Sequence, residues 1–240
     1  MRKELEALKK GAALFDIELS EKQTEQFYRF YEQMVETNKY MNLTGITQLD
    51  EVIVKHFLDS LAVSKAVSME KVKKIIDVGT GAGFPGIPLK IAYPDLEVCL
   101  LDSLKKRIGF LEEVCRENQL QKVETLHGRA EDYAKNPAYR EKFDLCVSRA
   151  VANLATLAEY CLPYVEIGGY FVSYKSGNVD NERKEAEKAI EILGGKIKDV
   201  IYFTLPETEI ERSLVVIEKG KETPGKYPRK AGMPAKEPLK

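Results

Sequence analysis

Between positions 75 and 86 the chain reads Ile75-Ile76-Asp77-Val78-Gly79-Thr80-Gly81-Ala82-Gly83-Phe84-Pro85-Gly86. A short apolar run meets an acid, then a glycine-dense turn, then residues suited to opening a helix. Glycine reaches positive φ and lets backbone approach a ligand with no Cβ in between. At the carboxyl end of a first sheet strand, such a turn is where open α/β sheets bind ligands. Gly81, Gly83 and Gly86 satisfy the GxGxxG spacing of dinucleotide enzymes, a weak match by itself. Asp77 argues against it, because a carboxylate just ahead of the turn is poorly placed near a pyrophosphate. It suits a cationic amino-acid moiety, and S-adenosylmethionine carries one. No Gly-Lys-Ser or Gly-Lys-Thr follows, which excludes a P-loop. The plain alternative is a structural glycine turn.

Asp102 closes a second apolar run, Val98-Cys99-Leu100-Leu101. A carboxylate there can accept both hydroxyls of a ribose. With Ser103 it can equally cap a helix starting at Lys105. Gly128-Arg129-Ala130-Glu131-Asp132 follows a third run. Ala130 and Glu131 either flank an adenine or belong to an acidic first helical turn. Phe84 either packs at the glycine turn or stacks on a base. The cofactor candidates are therefore Asp77, Gly79, Gly81, Gly83, Phe84, Asp102, Ala130 and Glu131.

The elements that must position these residues have two textures. From Leu5 to about Val67 the pattern is helical, with Ser20 and Gln23 spaced as a capping box. Phe27, Phe30 and Met34 then recur at helical spacing. A break rich in Asn, Thr and Gly spans Asn38 to Gln48, and Asp50 opens a further helix whose apolar face holds Ile53, Phe57 and Leu61. From Lys73 onward, β-rich runs alternate with helical stretches. Strands are expected at 74–78, 97–101, 123–126, 143–147, 170–174, 200–203 and 214–218. Helices are expected at 87–92, 105–117, 154–162 and 182–193. Apolar strands separated by helices mean a parallel sheet covered on both faces. Only Thr204 to Arg212 separates the last two strands, too little for a helical crossover, so they pair antiparallel. That is the α/β, Rossmann-like class I methyltransferase fold: seven strands, mostly parallel, an antiparallel last strand and an N-terminal helical cap. The expected partition is a cap over 1–70, a cofactor-binding core over 71–220 and a basic, proline-rich tail over 221–240.

Composition sets outer limits. With 240 residues, 44% hydrophobic and 31% charged, the chain is an ordinary globular one, and its net charge of -1 announces no global preference for nucleic acid. Four cysteines at isolated positions give neither a zinc knuckle nor a redox pair, and two histidines without HxxxH spacing argue against a histidine-rich metal site. No segment reads as a secretory signal or membrane span, so the cytoplasm is the expected location and a monomer the default. The tail holds seven Lys or Arg between Lys219 and Lys240, with prolines at 224, 228, 234 and 238. Proline at that density argues against a helix. The tail is either a solvated end or an arm that contacts RNA.

These pieces together resemble the glucose-inhibited division protein B family, also called ribosomal RNA small subunit methyltransferase G. The resemblance is carried by Asn42-Leu43-Thr44, His56-Phe57-Leu58-Asp59-Ser60, Asp77 to Gly86, Leu101-Asp102-Ser103, Gly128-Arg129-Ala130-Glu131, Ser148-Arg149-Ala150 and Tyr227-Pro228-Arg229-Lys230-Ala231-Gly232-Met233-Pro234. His127 and Tyr174-Lys175-Ser176-Gly177 are slight departures. The resemblance implies methyl transfer from S-adenosylmethionine to N7 of a guanine in small-subunit ribosomal RNA, in bacterial cytoplasm, without a metal. Guanine N7 has a lone pair and no proton to lose, so alignment and electrostatics, not a general base, must carry catalysis. Arg149, ending the fourth strand, is the catalytic candidate and would bind guanine O6 or a flanking phosphate. Asn42, Thr44 and His56 owe their substrate role to the resemblance alone, since each is otherwise a capping or structural residue. Lys175, Lys226, Arg229 and Lys230 are expected phosphate contacts, with Lys236 and Lys240 behind them. Rival readings are a methyltransferase for another RNA, a protein or a small molecule, a non-enzymatic RNA-binding module, and a nicotinamide oxidoreductase.

Overall fold

The computed structural model describes residues 3–149 and 151–239. Seven strands form one sheet: β1 (Lys74–Val78), β2 (Glu97–Asp102), β3 (Val123–His127), β4 (Phe143–Arg149), β5 (Val165–Ser176), β6 (Gly195–Thr204) and β7 (Glu211–Lys219). Their order is β3-β2-β1-β4-β5-β7-β6, with β7 antiparallel to both neighbours and the other pairings parallel. The order reverses between β1 and β4, and that switch point opens a crevice beyond the carboxyl ends of the strands. Asp77 and Arg149 lie on the two strands that flank it.

Side chains alternate across the sheet, as a strand's period of two requires. Ile75, Leu100, Leu145, Val147, Val172 and Leu214 join one apolar cluster; Ile76, Cys99, Leu101, Cys146, Phe171 and Val215 join the other. The first cluster is completed by α1 (Lys3–Ala13), α2 (Glu21–Met41), the segment 49–65, α5 (Gly86–Ala92) and α6 (Lys105–Glu117). The second is completed by α8 (Leu154–Cys161) and α9 (Asp180–Ile192). Within 49–65, α3 (Leu49–Val52) runs into a π-helical turn (Ile53–Leu58), then α4 (Asp59–Leu61) and a 3-10 turn (Ala62–Lys65). A short α7 (Ala130–Tyr133) follows β3.

α2 begins as its sequence dictates. Ser20 Oγ accepts from Gln23 N, and Gln23 Oε1 accepts from Ser20 N at 2.9 Å. The same Gln23 amide donates to Ile91 O and Ala92 O at 2.8 and 3.0 Å, which docks α2 on the end of α5. The capping box thus orients the N-terminal helices as well as starting one of them.

Strand positions match the expected ones, but most strands run further. β4 reaches Arg149 because Ser148 Oγ donates to Val78 O at 2.8 Å, and Arg149 pairs with Tyr174 on β5. The tail departs from expectation in one respect: a four-residue helix, α10 (Met233–Lys236), forms despite the prolines, with Pro234 within its first turn where no backbone donor is needed. Nor is the tail a solvated end. Thr223, Tyr227, Pro228 and Pro234 are buried.

Replacing Ser20 by Ala should cost about 1 kcal/mol of stability. Gln23→Ala should cost more, because it removes the docking of α2 as well as the cap. Urea unfolding of both variants checks the order.

Candidate active site

The glycine turn is built on Asp77. Its carboxylate is fully buried beneath the turn, and Oδ2 accepts from Thr80 Oγ1 at 2.6 Å and Gly86 N at 2.8 Å. Oδ1 has no partner. Burial raises the Asp77 pKa to about 6, against the two hydrogen bonds, which lower it. Gly79 adopts φ +74°, and a Cβ there would come within 2.6 Å of Val151. Gly83 sits at φ +96° with Ile87 and Leu111 equally close. The turn therefore tolerates no side chain at either position.

A cavity of about 440 Å³ opens over this turn. Gly79, Asp102, Leu104, Gly128, Ala130 and Glu131 line it, together with Arg107, Val151, Tyr160 and Ala235. Asp102 has a structural role and a place at the cavity. It stands on the cavity wall, while Oδ1 accepts from Leu104 N at 2.8 Å at the start of α6 and Oδ2 from Gly81 N at 3.0 Å. Glu131 is 1% exposed, and its Oε1 accepts from Gly232 N at 2.7 Å. The cavity fits a nucleoside bearing a cation. Asp102 offers carboxylate oxygens to hydroxyls, and the unpartnered Asp77 oxygen puts negative charge behind the turn, where a pyrophosphate would be repelled.

A second cavity of about 360 Å³ is lined by Lys55, His56, Asp59, Arg149, Tyr174, Lys175 and Arg212. Asp59, 4% exposed, is forked between two arginines: Arg149 Nη1 at 2.7 Å on one oxygen and Arg212 Nε at 3.1 Å on the other. Arg149 also donates to Lys55 O at 3.3 Å, and its Nη2 lies 3.3 Å from His56 Nδ1. Its guanidinium rests over the Phe84 ring at 5.0 Å. His56 stacks on the same ring at 4.6 Å, and its Nε2 is 2.8 Å from Thr44 Oγ1. Burial, and then the neighbouring Arg149, hold His56 down to about 4. The imidazole is neutral at physiological pH and a weak base.

The π-helical turn is what brings these groups together, since it carries Lys55 and His56 and leads directly into Asp59. Such turns are rare and concentrate at functional sites.

A family model described as rRNA small subunit methyltransferase G matches residues 23–214. The chain belongs to that family. A ribosomal RNA small subunit methyltransferase G from Lachnoclostridium phytofermentans is 54% identical over 95% of both chains. One from Alkaliphilus oremlandii is 52% identical over 97% of this chain and 98% of that one. Among solved structures, a putative O-methyltransferase from Klebsiella pneumoniae superposes with a TM-score of 0.52 at 12% identity, over 80% of this chain and 90% of that one. The StiE O-methyltransferase domain gives 0.53 at 14% identity, over 68% and 74%. At that identity they share the fold alone, the Rossmann-like methyltransferase fold. As a member of the methyltransferase G family, the chain is an S-adenosylmethionine-dependent enzyme.

The expected residues fall into three groups. Gly79, Asp102, Ala130 and Glu131 line the first cavity. Asp77, Gly81 and Gly83 shape its turn from behind. Phe84 is 5% exposed, lines neither cavity and packs against the His56 ring and the Arg149 guanidinium. His56 lies between Thr44 and Arg149 and touches both. Asn42 does not join them: at φ 52° it is the left-handed stop of α2. Asn38 does the local work there, accepting from Leu43 N and Thr44 N at 2.6 and 2.9 Å and so setting the loop that presents Thr44.

Two expected phosphate contacts are otherwise engaged. Lys175 lines the second cavity, but its Nζ donates to Glu182 Oε1 at 2.6 Å and Ala152 O at 3.0 Å. Glu182 Oε1 also accepts from Leu154 N, so this pair fixes the start of α8. Arg229 is held in a two-pronged ion pair by the buried Glu159. Lys226 and Lys230 remain exposed. Ala150 and Lys240 lie outside the described residues. Among the described residues no group of three or more His, Cys, Asp or Glu could hold a metal ion. Asp59 and Arg212 are site residues to which sequence reasoning gave no role. For Asp59 the signal was present, an acid on the same short segment as His56.

The raised Asp77 pKa has a signed consequence. The unfolded carboxyl ionises near 3.8 and the folded one near about 6, so stability falls as pH rises between these values. Asp77→Asn, which cannot ionise, should gain stability relative to the parent across that interval and keep the gain above it. Urea unfolding of both proteins from acid to neutral pH reads this directly; a difference that does not change with pH would mean Asp77 ionises normally.

Proposed function

We propose that this chain transfers the methyl group of S-adenosylmethionine to N7 of one guanine in small-subunit ribosomal RNA. Family membership supports the substrate class. The observation that carries the position of attack is Arg149, a strand-end cation at the second cavity, beside the crevice that holds the cofactor turn. S-adenosylmethionine supplies an electrophilic methyl on a sulfonium.

The residues of the second cavity suit a nucleophile that carries no proton. His56, held down to about 4, gives little driving force for taking one. Arg149 keeps its Nε–H free of protein acceptors among the described residues, because its bonds run through Nη1 and Nη2. We assign it to guanine O6 or an adjacent phosphate. A donor bonded to N7 itself would block attack. Asp59 and the Phe84 ring hold the guanidinium in one orientation, so alignment is prepared before the base arrives. His56 lines the base pocket and Thr44 holds its ring, while exposed Lys226 and Lys230 meet RNA phosphates.

The same reading takes residues 1–70 as the cap that supplies the base pocket, 71–220 as the cofactor core and 221–240 as the tail. It places the protein in the cytoplasm, as a monomer that needs no metal. No helix among the described residues is long and apolar enough to cross a membrane.

The test is methyl transfer from labelled cofactor to small ribosomal subunits, and to their protein-free RNA, from cells lacking this protein. The expected product is 7-methylguanosine at one position; label in any other nucleoside would overturn the reading. Single-turnover rates should stay level from about pH 7 to 9, since no base must lose a proton. Arg149→Lys should slow transfer at least roughly tenfold, because an ammonium cannot span Asp59 and a base together.

A further inference from the structure

The tail is fastened to the core by three cationic side chains. Lys219, fully buried, donates to Leu162 O and Thr223 Oγ1, both at 2.7 Å, and lies 3.1 Å from Glu141. Arg140 donates to Thr223 O at 2.6 Å and Tyr227 O at 2.9 Å. Arg229 grips Glu159 with Nε and Nη2 at 2.9 and 2.7 Å and spends a further Nη2 bond on Glu237 O at 2.7 Å. Glu159 is 0% exposed on an otherwise apolar α8. Burying charge in this way is costly unless every partner is met. A tail that merely hung in solvent would need none of it.

Beyond Arg229 the chain turns inward. Gly232 N meets Glu131 Oε1, Thr156 Oγ1 donates to Pro234 O at 3.1 Å, and Ala235 forms part of the wall of the 440 Å³ cavity. Glu131 stands on that same wall. The strap therefore closes a side of the cavity that the sheet and its loops leave open.

We propose that residues 229–237 are a structural wall of the cofactor cavity and that Arg229, through Glu159, is a positioning residue for S-adenosylmethionine. This rests on the reading of that cavity as the cofactor site. The Arg229 guanidinium acts inward, on the donor, and the RNA is met by Lys226 and Lys230 on the exposed side of the same segment.

The experiment measures binding of S-adenosylhomocysteine by calorimetry, without RNA, to the full chain and its variants. Breaking the pair on one side leaves a buried charge and threatens folding, so the principal variant is the double neutral change Glu159→Gln with Arg229→Met. The second is Ala235→Trp, which alters only an exposed residue and projects into the cavity. Both should weaken binding roughly tenfold or more, while the affinity for protein-free small-subunit RNA and its salt dependence stay as in the parent. In the parent, S-adenosylhomocysteine should also slow amide hydrogen exchange over 230–237. Unchanged S-adenosylhomocysteine affinity in both folded variants would overturn the proposal. So would a loss of RNA affinity in the double variant with a salt slope shallower by about one, the mark of a lost phosphate contact. If the parent itself failed to bind S-adenosylhomocysteine, the cavity assignment would fall and the strap's role with it.

Discussion

One buried carboxylate, that of Asp59, joins three parts of the chain that are remote in sequence. It sits at the end of the π-helical turn and holds Arg149 from β4 and Arg212 from β7. Removing it would leave two guanidinium groups facing each other in a poorly solvated space, a repulsion the helices could relieve only by moving off the sheet. The orientation of the N-terminal helices over the crevice and the aim of Arg149 are thus one constraint. Tyr174 reinforces it from β5 by donating to Ser60 O at 2.7 Å.

Around that constraint the two cavities differ in electrostatic character. The first is backed by Asp77 and lined by Asp102 and Glu131, which lie beside two arginines of the same wall, Arg107 and Arg129. The second gathers Lys55, Arg149, Lys175 and Arg212 against Asp59 and Glu182, a cationic surround for a phosphate-bearing acceptor. During methyl transfer positive charge leaves the donor and arrives on the base. Positive charge thus moves toward a cationic surround, which by itself opposes transfer. The layout favours binding of a phosphate-bearing acceptor, and the rate has to come from alignment of base, methyl and sulfur.

What the sequence made legible follows from distance along the chain. The glycine turn, the capping box at Ser20 and the strand pattern are local, and their residues specify them without help. The helix 105–117 and the strand 74–78 begin and end where composition placed them. Asp59 with Arg212 could not be read, because 153 residues separate them and either residue alone resembles a solvated charge. Lys175 and Arg229 were read as free cations for the same reason. In the second case a sign was available: Glu159 is the one acid in an apolar helix, and a buried acid demands a cationic partner from elsewhere. The tail, with its unexplained basic residues, was the place to look for it.

The π-helical turn at Ile53–Leu58 is in effect one residue too many for an α-helix of the same rise. Each residue of an α-helix advances the chain by about 100°. Taking one residue out of this turn would let it relax to ordinary helix, and everything upstream would rotate by that amount relative to Asp59. Lys55, His56 and the loop bearing Thr44 would then face another direction while every apolar contact type was kept. This stretch should accordingly accept no change in length. Its residue count is as fixed a requirement as the identities of the residues it presents.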